Sequence, residues 1–151
     1  MRTCLLLATA LALATPAVAQ ADGGPFGLGI SLGQPTGLTL GYRFSPKSML
    51  DVTVGLDGFD NDAYYVHAVV DFFPFGDILG GGSVGLSPYI GIGGILFDAG
   101  DVGLAARVPF GLSLDFRRAP IQIFGEIALI LVVSPDTDSG FDGAGGFRYF
   151  F

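Results

Sequence analysis

The sequence holds one histidine, His67, the only side chain whose unperturbed pKa suits proton transfer near neutral pH. As the general base of a lipid hydrolase it would need a serine nucleophile and an acid to orient it. Asp71 follows four residues later, but no serine stands two residues away. The residues therefore favour a hydrogen-bonded interior histidine, and no enzyme is expected. A second set is ionic: Arg43, Arg107 and Arg148 with Asp51, Asp71, Asp115 and Glu126. These charges suit either a gated ion path or a network of mutual pairs. A third set, Asp136, Asp138 and Asp142, has the alternating carboxylates of a calcium loop but lacks the distal bidentate Glu of a calcium hand, so a solvated acidic loop is the plainer reading and no metal is expected. Leu79-Gly80-Gly81-Gly82 lacks the Lys and the helix of a phosphate loop, and no zinc or dinucleotide pattern is present, so no cofactor is expected.

Alternation of period two carries these residues. Leu104, Ala106, Val108, Phe110, Leu112, Leu114 and Phe116 share one face, while Ala105, Arg107, Pro109, Gly111, Ser113 and Asp115 share the other. Equivalent runs start at Phe26, Leu38, Leu50, Tyr64 and Ile121, each apolar on one parity. A run from about Pro88 to Phe97 is ambiguous in phase because Gly93-Gly94 interrupts it, as a bulge would. With a last run over about residues 141–151 the count reaches eight strands, each near the ten residues that a tilted strand needs to cross hydrocarbon. Arg43, Asp51, His67, Asp71, Arg107, Asp115, Glu126 and Arg148 all fall on the less apolar parity. They define an interior charge network.

Composition says which side faces water. Half of the 151 residues are apolar and 14% are charged, too apolar for a soluble chain of this length to bury. Part of the excess is local: a basic start at Arg2, an apolar run from Cys4 to Ala14 and the small residues Ala17-Val18-Ala19 read as a cleavable signal peptide over residues 1–19. The barrel domain is then 20–151, without cysteine and hence without disulfide or thiol chemistry. Without Arg2, six basic residues stand against fourteen acidic ones, which argues against a nucleic-acid partner. No later apolar run is long enough for a helical span.

Strands in lipid must close, because an open edge strands backbone polar groups at several kcal/mol each. The expected fold class is all-β: a closed antiparallel up-and-down transmembrane β-barrel of eight strands. Its interior is just wide enough for side chains to fill, which disfavours a general porin. If Phe116 pairs with Ile121 across the turn at residues 117–120, Gly111 faces Glu126 and Asp115 faces Gln122. Gly111 would then leave space beside Glu126 for an arginine from another row.

The chain stops on Gly-Phe-Arg-Tyr-Phe-Phe, with Phe147, Tyr149 and Phe151 on one parity. This ending resembles the C-terminal insertion signal of bacterial outer-membrane proteins, and the whole chain after the signal peptide resembles the small OmpA/OmpX-like barrels. The resemblance implies export, integral residence in the bacterial outer membrane, contact with its lipid, and insertion by the barrel assembly machinery. It also implies that both termini face the periplasm. Asp57, Asp60, Asp62, Asp98, Asp101, Asp136 and Asp138 would then lie on outer loops, Lys47, Arg117 and Arg118 on periplasmic turns, and Phe26, Phe44, Phe72, Phe116 and Phe151 in a periplasmic aromatic girdle.

Because such folds host unrelated functions, the expectation is a non-enzymatic barrel with a structural or surface-interaction role, its surface partner unspecified. The alternatives are a narrow small-solute channel and a lipid-modifying outer-membrane enzyme. A soluble lipocalin-like binder would invert the wall, with apolar residues inside.

Overall fold

The computed structural model describes residues 23–57, 64–98 and 102–151. The predicted signal peptide, Asp60, Asp62 and Asp101 lie outside these residues. Eight strands follow one another: β1 (Phe26–Gly33), β2 (Thr36–Ser45), β3 (Ser48–Asp57), β4 (Tyr65–Phe72), β5 (Val84–Asp98), β6 (Val102–Phe116), β7 (Ile121–Ser134) and β8 (Asp138–Phe150). Each pairs with its sequence neighbours, and β8 closes on β1 from Gly27↔Phe150 to Gly33↔Ala144 in a closed antiparallel barrel. Closure leaves no free sheet edge. Among the described residues no helix is long and apolar enough to cross a membrane.

The register across the β6–β7 turn is the one the alternation predicts: Phe116↔Ile121, Asp115↔Gln122 and Gly111↔Glu126. The β5 expectation is corrected. The strand spans fifteen residues from Val84, and Gly93-Gly94 makes no bulge: Val69↔Gly93 and Ala68↔Gly94 pair in unbroken register, with Tyr89, Gly91, Ile95 and Phe97 all buried. Two glycines in succession carry no side chain from which phase can be read. Gly93 instead answers a close approach, since a Cβ there would lie 2.0 Å from the Ala68 carbonyl oxygen. The last strand also starts earlier than expected, at Asp138.

The wall is apolar outward. Leu28, Leu40, Val54, Ile92, Phe110, Leu112, Ile123 and Ile127 are exposed, and no described charged side chain points out between the strand ends. Inside, the buried residues include Arg107, Arg148, Asp51, Asp71, His67 and Asp142. The start of β1 and the end of β8 sit at one end, where Phe151 N–H donates to Phe26 O at 2.8 Å. The same end carries Phe26, Phe44, Phe72 and Phe116 at strand termini. At the opposite end the interior turns apolar: Tyr65, Ile95, Phe97, Ala105, Ala128 and Ile130 pack together, with Val132 against them.

Candidate functional site

The charged interior divides into three groups along the barrel. Nearest the end that carries Phe26 and Phe151, Arg43 of β2 donates from Nη2 to Asp115 Oδ1 at 2.5 Å, and its guanidinium lies 3.6 Å above the Phe150 ring. Asp115 also accepts from Ser113 Oγ at 2.8 Å and Gln122 Nε2 at 3.2 Å. This pair is about one-third exposed.

Deeper in, Arg148 of β8 is 1% exposed and uses its whole fork. It pairs with Asp51, donates to Thr39 Oγ1 from Nε (3.0 Å) and Nη2 (2.9 Å), and donates from Nη1 to Gln122 Oε1 at 3.1 Å. Phe124 lies beneath it, 4.1 Å from ring centre to guanidinium carbon. Asp51 Oδ1 accepts further bonds from Thr39 and Thr53 at 3.1 and 3.3 Å. A buried carboxylate so surrounded offsets its lost hydration with charge-assisted hydrogen bonds.

The third group centres on Arg107 of β6, also 1% exposed. Its Nη1 meets Glu126 Oε1 at 2.9 Å, while Nη2 and Nε grip Asp142 at 2.8 and 3.2 Å. Tyr89 donates its hydroxyl to Glu126 Oε2 at 2.6 Å. Here the sequence expectation is half right. An arginine of another row, Arg107, does reach Glu126. The space that Gly111 leaves is filled by the Tyr89 ring, only 2.2 Å from where a Cβ would sit. Asp71 is buried in electrostatic reach of Glu126 and Arg107, and its Oδ1 has no hydrogen-bond partner among the described residues.

All eight predicted network residues thus point inward, and six of them form the three ion-paired groups. His67 sits aside from a direct ion pair. Its Nδ1 is 3.3 Å from the Tyr65 hydroxyl, and its Nε2 lies 3.8 Å from Asp51, beyond hydrogen-bond length. Thr53 pairs across the strands with His67, but its hydroxyl is given to Asp51. Among the described residues no hydroxyl is hydrogen-bonded to His67 as a nucleophile would be, other than the Tyr65 phenol.

The three carboxylates of the calcium-loop pattern do not stand together. Asp142 is buried inside the barrel as the bidentate partner of Arg107, whereas Asp136 and Asp138 are exposed at the start of β8. No group of three His, Cys, Asp or Glu able to hold a metal occurs among the described residues. A signal was available: Asp142 shares the parity of Arg148. Tyr89 was missed for a different reason, because the phase of β5 could not be read through Gly93-Gly94.

Phe147, Tyr149 and Phe151, the predicted insertion signal, are all exposed on the outer wall. At the terminal end the β4–β5 connection folds beside β5: Ile78 N–H donates to Leu86 O at 2.8 Å, and Asp77 Oδ1 accepts from Leu79 N–H at 2.9 Å and Leu86 N–H at 3.0 Å. These two amides, with Arg117 across the mouth, hold the Asp77 carboxyl below its usual pKa. No family model, curated protein or solved structure matches the chain. The class that the fold defines is the closed eight-stranded antiparallel barrel with a charged, side-chain-filled interior.

Proposed function

We propose that this chain is an exported, integral protein of the bacterial outer membrane, an OmpA/OmpX-like barrel without enzymatic activity whose role is structural or is exercised through contacts of its loops with a surface partner. The observation that carries the proposal is the polarity of the wall: charge is buried inside, and large apolar side chains are exposed outside. A soluble barrel needs the reverse arrangement, whereas a lipid-facing wall needs this one. The chain would enter with Phe147, Tyr149 and Phe151 read by the barrel assembly machinery, and its terminal end would face the periplasm.

Two features weigh against a conducting path. The arginines are each engaged by carboxylates, and the apolar stack around Ile95, Phe97 and Ile130 fills the far end. Lipid chemistry is disfavoured because His67 points into the barrel and is 2% exposed.

Cell fractionation combined with heat-modifiable gel mobility tests the proposal. The chain is expected in the outer membrane, migrating faster unheated than boiled. Recovery as soluble periplasmic protein would overturn it. Planar-bilayer recording tests the filled interior, and a steady single-channel conductance would refute that part.

A further inference from the structure

The end of the barrel that carries Phe26 and Phe151 opens into a cavity of about 460 Å³. Its floor is Arg43, Asp115, Gln122 and Met49, and its sides include Phe73 and Arg117. It is blind, because the buried Arg148 group and then the Arg107 group fill the lumen behind it. A preformed hollow of this volume, lined by apolar and polar groups together, has the ordinary size of a small-ligand site.

Charge selects the ligand. In the lining Arg43 is paired with Asp115 and Arg117 with Asp77, and Lys47 and Arg118 on the adjoining turns leave this end with an excess of two positive charges in a chain whose formal net charge is −7. Both guanidiniums that line the cavity are reachable, with side chains 30% and 45% exposed for Arg43 and Arg117. A guanidinium fork recognises carboxylate and phosphate alike. Met49 and Phe73 offer apolar contact beside that charge.

We propose that this vestibule binds a small organic anion, a carboxylate or phosphate head on an apolar body, with the head drawn to Arg43 and Arg117 and the body against Met49 and Phe73. The same oxyanion chemistry can come from a soluble metabolite or from an anionic lipid head group at the rim. The site belongs to the barrel mouth and stands whether or not the barrel resides in an outer membrane.

Met49 supplies the probe, since the only other methionine in the sequence is Met1. Chain labelled with ¹³C-methyl methionine, in nanodiscs of phosphatidylcholine, is titrated with benzoate, phenyl phosphate and the neutral control benzamide. The Met49 methyl resonance is expected to move saturably with at least one anion and not with benzamide. Arg117→Gln, an exposed turn substitution that leaves the barrel intact, is expected to weaken that binding about tenfold, the scale of one lost charged hydrogen bond. A second arm uses nanodiscs containing phosphatidic acid and no added probe. Movement of Met49 there identifies a lipid head group as the source, and movement with the soluble anions alone identifies a free ligand. The proposal is overturned if neither the anions nor phosphatidic acid shifts the resonance, if benzamide shifts it equally, or if Arg117→Gln binds as tightly as the parent chain.

Discussion

Replacing Arg107 by methionine removes one cation from the barrel interior and leaves two carboxylates without it. Glu126 retains the Tyr89 hydroxyl at 2.6 Å, but the Asp142 side chain, 0% exposed, loses the bidentate grip that spans 2.8 and 3.2 Å. Breaking a buried pair from one side costs about 3–5 kcal/mol, because the remaining charge is left desolvated without a partner. Glu126→Gln acts differently. Arg107 keeps Asp142, and the amide oxygen still accepts from Tyr89, so the cost should be about 1 kcal/mol. Glu126→Ala is intermediate, since it also orphans the Tyr89 hydroxyl while Arg107 stays paired. Combining Arg107→Met with Glu126→Gln and Asp142→Asn removes all three charges together and should recover most of the loss. Reversible urea unfolding of the refolded barrel, followed by far-ultraviolet circular dichroism and by unheated gel mobility, gives these differences. The reasoning is refuted if Arg107→Met lies within about 1 kcal/mol of the parent, or if the triple variant is as unstable as the single.

Three further outcomes follow from other parts of the wall and rim. Ile127 lies midway along β7 and is 63% exposed, so Ile127→Arg should destabilise a lipid-embedded barrel by about 2–4 kcal/mol in vesicles; a neutral effect there would indicate that water bathes this face. Gly111→Ala places a methyl group 2.2 Å from the Tyr89 ring, and urea unfolding should show a loss of about 1–3 kcal/mol that Tyr89→Phe, which keeps the ring, does not relieve. Asp77 has its carboxyl pKa depressed in the fold, so its contribution is complete above the usual carboxylate range and is lost as pH falls through the lowered value. Amide exchange at Leu79 and Leu86 should accordingly stay slow across neutral and mildly acidic pH and quicken only in stronger acid, whereas Asp77→Asn should weaken this protection at neutral pH and flatten its dependence on pH.

The positions of the strands were largely legible, and so was the direction of each network residue. Arg43, Asp51, His67, Asp71, Arg107, Asp115, Glu126 and Arg148 all point inward as their parity requires. The register across β6–β7 was also legible, because a short turn leaves few ways to pair the flanking residues. Where side chains were absent or both faces apolar, the pattern failed. Gly93-Gly94 hid the phase of β5, and with it the inward Tyr89, Ile95 and Phe97. Asp142 reads as part of an acidic loop because it follows Asp136 and Asp138, although β8 has already begun there and turns this side chain inward.

The sequence by itself determined which face of each strand is apolar and which residues are turned inward, since a strand sends successive side chains to opposite faces wherever it lies. Only the tertiary structure decided the partners. Arg148 finds Asp51 across a separation of 97 residues, and Arg107 finds Asp142 across 35, because closing the sheet brings distant strands face to face over a narrow lumen. Closure also sets how far each side chain must reach, and so places Tyr89 in the space left by Gly111 and the apolar stack at the end far from Phe151. Alternation is a property of one strand, whereas the tilt and stagger of a closed barrel belong to all eight.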